Sequence, residues 1–138
     1  MKGKTLSRIL YAEDDPDIQS VAKMSLEMVG GFEVLACSSG EQAVEAGPGF
    51  APDLVLLDVM MPGMDGVATL EKLRGDPRTA PIPVIFMTAK AMPSEVARLR
   101  ALGAADVLLK PFDPMTLPVK LKGIWAGLCL EGQKESEG

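Results

Sequence analysis

The amino-acid sequence predicts an α/β fold in which helices cover both faces of one parallel β-sheet. Short apolar runs alternate with amphipathic stretches five times along the chain, which is typical of repeated strand–helix units. The runs are uniformly apolar, as strands buried on both faces require. The chain has 138 residues, about the length of one domain. We therefore expect one folded domain over residues 1–130 and a polar C-terminal tail over residues 131–138.

The first half of the chain is predicted to hold three strands and two helices. The first strand, residues 8–12, ends at an acidic cluster, where Asp15 is the N-cap of a helix and Pro16 its first residue. Apolar residues at helical spacing follow until Gly30 and Gly31 end this helix. The remaining elements are a strand at residues 32–36, a short helix at residues 41–46 that Gly47-Pro48-Gly49 breaks, and a buried strand at residues 54–57 that runs into Asp58.

The second half is predicted to complete the alternation with two strands and three helices. Ser94 is expected to cap a helix that Gly103 ends. Asp113 and Pro114 are expected to open the last helix, on which Trp125 is a core residue. The other elements are a turn-rich loop at residues 59–66, a helix at residues 67–74, a strand at residues 84–87 that ends at Thr88, and a strand at residues 107–109 that ends at Lys110.

The composition excludes several classes of function. The chain has no histidine, which excludes Ser-His-Asp and Cys-His mechanisms, imidazole metal ligands and a phosphohistidine on this chain. A net charge of −5 argues against direct binding to nucleic acid or to an anionic membrane. Cys37 and Cys129 lie far apart, so we expect two reduced thiols in a cytoplasmic protein. No apolar run approaches the ~20 residues of a membrane span, and we expect no signal peptide.

The polar residues at the ends of the predicted strands indicate a functional site. The carboxyl ends of parallel strands meet at one edge of the sheet, where open α/β folds bind ligands. Each residue alone has an ordinary structural explanation, such as a loop start or a solvated charge. Their arrival at the same edge favours a site. These residues are Glu13, Asp14, Asp58, Thr88 and Lys110.

The residue types at this edge suit phosphoryl transfer. Carboxylates about 4 Å apart repel by roughly 4 kcal/mol per pair at an effective dielectric of 20, so the acidic cluster needs a counter-ion. Carboxylate oxygens without His or Cys favour Mg²⁺, with Mn²⁺ as a substitute. Lys110 adds a positive charge, and Thr88 adds a hydroxyl donor. A carboxylate nucleophile, a divalent cation and a lysine are what phosphoryl transfer to aspartate requires.

Four motifs resemble those of the receiver domains of two-component response regulators, including the chemotaxis regulators. They are Tyr-Ala-Glu-Asp-Asp-Pro at residues 11–16, Leu-Val-Leu-Leu-Asp-Val-Met-Met-Pro-Gly-Met-Asp-Gly at residues 54–66, Phe-Met-Thr-Ala at residues 86–89 and Leu-Leu-Lys-Pro-Phe at residues 108–112. The resemblance covers residues 8–130 in order and spacing. It implies a flavodoxin-like, doubly wound, five-stranded parallel sheet in a three-layer α/β/α arrangement.

The resemblance also implies the function and a role for each site residue. The domain would take a phosphoryl group from a histidine kinase or a histidine phosphotransfer protein and switch an output partner that the sequence does not name. The implied roles are Asp58 as phosphoacceptor, Glu13, Asp14 and Asp58 with the backbone carbonyl of Met60 as Mg²⁺ ligands, Thr88 as switch hydroxyl and Lys110 as phosphate contact.

One position departs from the family pattern. Family members commonly carry Tyr, Phe or His three residues before the lysine, as a rotameric partner of the switch hydroxyl, and this chain carries Val107 there. The aromatic half of that relay is therefore absent. We expect residues 89–93 to carry most of the rearrangement and the fifth strand to carry less.

Three other functions are alternatives to the phospho-accepting switch. An aspartate-nucleophile phosphatase of the haloacid dehalogenase kind resembles Asp-x-Asp at the nucleophile strand, whereas Met60 stands two residues after Asp58. A flavodoxin-type cofactor binder should offer amides and hydroxyls after the first strand, where this acidic cluster would repel a phosphate. A degenerate receiver that acts only as a phosphorylation-independent docking module ranks second, because all five site residue types are present.

Overall fold

The five strands form one parallel sheet in the order β2-β1-β3-β4-β5. The structure is a computed structural model that describes residues 5–90 and 92–137, and residues 131–137 by their backbone alone. The strands are β1 (Arg8–Ala12), β2 (Glu33–Cys37), β3 (Leu54–Asp58), β4 (Val84–Thr88) and β5 (Asp106–Leu109). The helices are α1 (Pro16–Met24, continued by a π-helical turn at Ser25–Val29), α2 (Gly40–Phe50), α3 (Gly66–Arg74), α4 (Pro93–Ala101) and α5 (Leu117–Glu137). The predicted doubly wound five-stranded fold is confirmed.

Each face of the sheet packs against its own hydrophobic core. One core includes Tyr11 and Leu56 together with Trp125 of α5, so Trp125 is the core residue that the sequence predicts. The other core includes Leu57 and Phe86 and lies on the face of α2, α3 and α4. Strands covered on both faces explain why every residue of β3 and β4 is buried. None of the described helices is both long and apolar enough to cross a bilayer.

The predicted break in α2 is wrong. The helix runs through Gly47 and Pro48 and ends only where Ala51 adopts a left-handed conformation with φ of 52° and donates its N–H to the Gly47 carbonyl. Gly47 is buried, and a Cβ there would lie 3.4 Å from a methyl group of Thr79. Gly47 thus packs against a residue that follows α3, and the helix ends one turn later than predicted.

Two predicted helix starts also differ from the structure. Helix α4 begins at Pro93, with Met92 at the N-cap position and no capping side chain, so Ser94 is not the cap. Proline at the first helical position has a φ preset for the helix and lacks one of the N–H groups that a cap would otherwise have to satisfy. Helix α5 begins at Leu117, because Asp113 first closes a turn: its carboxylate accepts from the Met115 N–H at 2.9 Å. The α5 backbone continues through Glu137 into the expected tail, and the domain boundary at residue 130 stays a prediction.

The amino-terminal end of the sheet is fixed by Asp53. Its carboxylate oxygen Oδ2 accepts from the backbone N–H groups of Ser7 at 3.0 Å and Arg8 at 2.9 Å. Its own N–H donates to the Arg8 carbonyl at 2.9 Å. Asp53 is 6% exposed, so these bonds form largely out of water. They set the start of β1 against the start of β3 and leave the opposite end of both strands to the polar residues described next.

Candidate functional site

The acidic residues that follow β1 and β3 lie together at the carboxyl edge of the sheet. One carboxylate oxygen from each of Glu13, Asp14 and Asp58 lies within 4.8 Å of the others. The pairing of Ala12 with Leu57 in register brings the next residue of each strand, Glu13 and Asp58, to the same level. The N–H of Glu13 donates to the Cys37 carbonyl, which carries the β1–β2 ladder one residue further and fixes Glu13 in place.

Lys110 reaches this cluster from the loop after β5. Its Nζ lies 2.8 Å from Oε1 of Glu13 and 3.2 Å from Oδ2 of Asp58. The Lys110 N–H donates to the Thr88 carbonyl at 2.8 Å, which fixes the start of the lysine side chain beside β4. The side chain is 16% exposed, so the ammonium sits between the two carboxylates largely away from water. The structure thus joins residues that stand 97 positions apart in sequence.

Backbone N–H groups occupy the other oxygens of the two buried carboxylates. Oε2 of Glu13 accepts from the Asp15 N–H at 3.2 Å, and Oδ1 of Asp58 accepts from the Met60 N–H at 3.3 Å. Asp15 also caps α1, as predicted, by accepting from the N–H groups of residues 17 and 18. It is absent from the three-carboxylate cluster, in agreement with its expected role as a cap.

Gln19 supports the site and was missed from the sequence. Its side-chain amide donates to the backbone carbonyls of Glu13 and Cys37, both at 2.9 Å. These two hydrogen bonds connect α1 to the ends of β1 and β2, next to the acidic residue Glu13. The available signal was its spacing of four residues from the cap Asp15, which places it on the adjacent turn of the same helix face.

Burial and neighbouring charges together shift the pKa of the two groups at the centre of the site. Burial raises the pKa of Glu13, and the Lys110 hydrogen bond opposes that shift, while the neighbouring Asp58 adds to it. Burial alone would lower the pKa of Lys110, but the hydrogen bonds and charges of Glu13 and Asp58 outweigh it, so the pKa is raised. Lys110 is therefore a persistent cation. Lys110 contacts two of the three clustered carboxylates, and the uncompensated charge with its hard oxygen donors fits a divalent cation such as Mg²⁺.

Thr88 lies at the end of β4, beside the cluster but not in contact with it. It is 4% exposed, and its hydroxyl oxygen accepts from the Lys90 N–H at 3.1 Å. Within the described residues it makes no hydrogen bond to the acidic side chains. The structure therefore brings four of the five predicted site residues into one cluster and leaves the fifth on the neighbouring strand end, bonded to the loop that follows it.

Gly66 closes the loop behind Asp58. Its N–H donates to the Val59 carbonyl at 2.9 Å, and α3 begins at this residue. A Cβ at this position would lie 2.5 Å from the Asp58 carbonyl oxygen and 2.9 Å from Cα of Val59, closer than side chains pack. The glycine allows α3 to start directly against the strand that carries Asp58.

Comparison with known proteins assigns this chain to a family. The sequence profile described as "Response regulator receiver domain" matches residues 9–122, which include every candidate site residue. The chain is a member of the response regulator receiver family. Acceptance of a phosphoryl group coupled to a switch is the function of that family, and the sequence-based identification is confirmed.

Curated relatives and a solved structure place the receiver among regulators of different length. It is 36% identical over 124 residues to the phosphate regulon transcriptional regulatory protein PhoB of Pseudomonas aeruginosa, covering 90% of this chain and 52% of that protein. It is 40% identical over 121 residues to the transcriptional regulatory protein CpxR of Escherichia coli, covering 86% and 49%. The structure of the chemotaxis protein CheY4 of Vibrio cholerae superposes with a TM-score of 0.80 at 26% identity, covering 87% of this chain and 99% of that one. The receiver thus spans about half the length of the curated relatives it matches.

Proposed function

We propose that the receiver accepts a phosphoryl group on Asp58 from a histidine kinase or a histidine phosphotransfer protein. The observation that carries this proposal is the setting of the Asp58 carboxylate. It is 5% exposed at the end of β3, held by the Met60 N–H, and paired with Lys110 inside a cluster that contains two further carboxylates. A carboxylate positioned in this way is aimed at a reactant that approaches the open edge of the sheet.

The transfer exchanges one bond to phosphorus for another. A carboxylate oxygen of Asp58 attacks the phosphorus of the partner's phosphohistidine and forms a P–O bond. The P–N bond breaks, and its electron pair leaves with the imidazole nitrogen. Lys110 faces the same carboxylate at 3.2 Å and neutralises charge on the transferred group. The receiver thereby catalyses its own phosphorylation and, by attack of water on the acyl phosphate, its dephosphorylation.

Mg²⁺ is the proposed cofactor, with Mn²⁺ as a substitute. Glu13, Asp14 and Asp58 together with the backbone carbonyl of Met60 would hold it, in line with the oxygen-only donor set. When bound, the ion supplies neutralisation of the charge on the phosphoryl oxygens. Asp14 is the exposed member of the cluster, so it can change its position to suit a ligand more readily than the buried Glu13 can.

Thr88 and Lys110 are proposed to convert phosphorylation into a change of shape. A phosphoryl group adds about −1.5 to −2 charges and strong acceptor oxygens. The Thr88 hydroxyl and the Lys110 ammonium are the donors that such oxygens would attract. The Thr88 hydroxyl accepts a hydrogen bond from the Lys90 N–H, and the Thr88 carbonyl accepts one from the Lys110 N–H. The loops that follow β4 and β5 are therefore both connected to the site through Thr88.

The surface beside Lys110 suits a docking partner. A groove of about 470 Å³ lies there, and it is lined by Ile18 and Val21 of α1 and by Phe112 together with other residues of the site loops. A donor protein that rests an apolar helix face in this groove would bring its histidine to the edge that carries Asp58. Because the curated relatives are about twice as long, the output partner is proposed to be a further domain or another protein. We propose that the receiver is located in the cytoplasm, where it would meet the histidine kinase or histidine phosphotransfer protein.

The test is Mg²⁺-dependent modification by acetyl phosphate, measured as intact mass. The wild-type chain is expected to gain one phosphoryl group with Mg²⁺ and none without it. The variant Asp58→Asn is expected to gain none. Asp17→Asn is the matched control, since Asp17 is an exposed carboxylate close to the site but outside the cluster, and it should be modified like the wild type. An adduct of wild-type size on Asp58→Asn would overturn the assignment, and no adduct on the wild type would favour the phosphorylation-independent docking module.

A further inference from the structure

A buried hydroxyl on β1, two residues before Glu13, has no hydrogen-bond partner in the part of the chain whose side chains the structure describes. Tyr11 has no exposed surface, and its hydroxyl oxygen has no partner among residues 5–90 and 92–130. A buried hydroxyl that makes no hydrogen bond costs about 1–3 kcal/mol, and native proteins rarely leave one in that state. A phenylalanine would fill the same space at no such cost. The hydroxyl therefore indicates a hydrogen bond that forms in another state of the receiver and is absent from the unphosphorylated one.

The position of Tyr11 places that hydroxyl near the site. Successive residues of a strand point to opposite faces, so Tyr11 and Glu13 share a face and their Cα atoms lie about 6.6 Å apart along the strand direction. Tyr11 pairs with Leu56, which likewise lies two residues below Asp58 on β3. Burial raises the pKa of Tyr11, and the negative charges of Glu13 and Asp58 raise it further. A tyrosine hydroxyl carries its proton at neutral pH, so it can donate a hydrogen bond to a carboxylate.

The proposed phosphorylation removes a hydrogen-bond donor from Glu13, and the Tyr11 hydroxyl can replace it. Oε1 of Glu13 has Lys110 as its partner in the unphosphorylated receiver. When Lys110 turns toward the phosphoryl group, this oxygen loses one donor while Glu13 stays buried. A carboxylate oxygen has two acceptor positions, so one of them is open to a new donor even when Glu13 holds the proposed Mg²⁺. Leaving that position unfilled in a buried site is costly, and the unpartnered hydroxyl of Tyr11 lies on the same face of the strand.

We propose that Tyr11 is a positioning residue that donates its hydroxyl to Glu13 once Lys110 moves to the phosphoryl group. This inference rests on the proposed phosphorylation at Asp58. Tyr11 itself touches neither the phosphoryl group nor the partner. Its hydroxyl stabilises the phosphorylated receiver by donating a hydrogen bond to Glu13. In the unphosphorylated receiver the hydroxyl forms no hydrogen bond with the described residues and stabilises nothing.

The test compares Tyr11→Phe with the wild type in two states. Affinity for beryllofluoride, a phosphoryl mimic, is measured with Mg²⁺ present, and the unfolding midpoint is measured without either ligand. One hydrogen bond to a charged group predicts about tenfold weaker mimic binding for Tyr11→Phe. The unliganded midpoint should be unchanged or higher. Thr79→Val is the matched control, because it removes a buried hydroxyl, bonded to the Leu73 carbonyl, far from the site, and it should lower the midpoint without changing mimic affinity.

A spectroscopic measurement on the unmutated receiver tests the same inference without any variant. Tyr11 is the only tyrosine of the chain, so the tyrosine doublet in the Raman spectrum reports this one hydroxyl. It should change from an unbonded to a donating hydroxyl on addition of Mg²⁺ and beryllofluoride. Equal mimic affinity of Tyr11→Phe, or a doublet that does not change while the mimic binds, overturns the role of Tyr11. Failure of the wild type to bind the mimic overturns the phosphorylation proposal instead.

Discussion

The backbone around Gly66 leaves no room for a side chain. A Cβ there would lie 2.5 Å from the carbonyl oxygen of Asp58, and neither that oxygen nor Cα of Val59 can move without moving the strand. We expect Gly66→Ala to destabilise the receiver by about 1–3 kcal/mol, as overpacking does. We also expect it to slow phosphorylation by acetyl phosphate, because the displaced strand carries Asp58. Denaturant unfolding and intact mass over time measure the two effects.

Gly75→Ala is the matched control for that experiment. Gly75 ends α3 with φ of −78°, and a Cβ there would lie 3.5 Å or more from its neighbours, so alanine fits without strain. Stability and phosphorylation rate should stay close to those of the wild type. If Gly66→Ala were as stable and as reactive as Gly75→Ala, the contact with Asp58 would not constrain the site.

The site residues could be predicted because each one interrupts an apolar pattern at a strand end. Glu13, Asp58 and Thr88 follow runs in which only apolar residues are expected, and the parallel sheet brings those ends together. Tyr11 and Gln19 could not be found in this way. Tyr11 is indistinguishable from any other apolar strand residue, and Gln19 from any other polar residue on a helix, until the structure shows what their polar atoms face.

At the scale of elements, the bond between Thr88 and Lys90 predicts where the switch moves. Rotation of the Thr88 hydroxyl toward a phosphoryl oxygen moves the acceptor of the Lys90 N–H and loosens the loop that leads to α4. Val107 on β5 has no ring to swing in response. On addition of Mg²⁺ and beryllofluoride we expect hydrogen exchange to change around residues 89–102 and to change less around residues 107–122. Of the loop residues 89–93, Ala91 lies outside the described part of the chain.

Thr88→Val separates this route from a general effect of ligand binding. Valine keeps the shape of the side chain and removes the hydroxyl, so exchange near α4 should no longer respond while the mimic still binds at Asp58. Changes confined to residues 107–122, in the wild type, would show that the fifth strand carries the signal despite Val107.

Element boundaries were predicted less well than element identity, for physical reasons that lie outside local sequence. Gly47 and Pro48 suggest a helix break, yet packing of Gly47 against Thr79, 32 positions away, is compatible with a helix that continues. Ser94 is a good cap by type, yet Pro93 lets α4 begin two residues earlier than a helix capped by Ser94 would. In both cases a contact or a backbone angle that depends on the folded chain outweighs the local preference.

At the scale of the whole molecule, the acidic cluster predicts that Mg²⁺ stabilises the fold. An ion that binds only the folded state adds RT ln(1 + [L]/Kd), about 2.7 kcal/mol at a hundredfold excess over its dissociation constant. We expect thermal unfolding of the wild type to shift upward with millimolar Mg²⁺ and unfolding of Asp14→Ala to shift less. Glu71→Ala, which removes an exposed charge on α3, should respond like the wild type. Equal shifts in all three proteins would mean that the ion binds elsewhere.

Asp53 predicts a loss of stability that leaves phosphorylation intact. Its carboxylate holds two partly buried backbone N–H groups at the start of β1, and replacing it with alanine removes the carboxylate that accepts from both. We expect Asp53→Ala to lower the free energy of unfolding by about 1–3 kcal/mol. Below the unfolding transition, the rate of modification by acetyl phosphate should equal that of the wild type. A slower rate in the folded variant would show that the two ends of the sheet are coupled.

The placement of Asp53 and Asp58 at opposite ends of the same strand has a consequence for how this receiver can change over time. We expect substitutions at the Asp53 end to change stability alone, whereas substitutions at the Asp58 end should change the rate of phosphorylation and, as at Gly66, can also lower stability. A lineage can therefore accumulate stabilising changes at one end that offset destabilising but useful changes at the other, since both ends belong to one sheet. Protein engineers can follow the same route and strengthen the Asp53 end before redesigning the loops that select a phosphodonor.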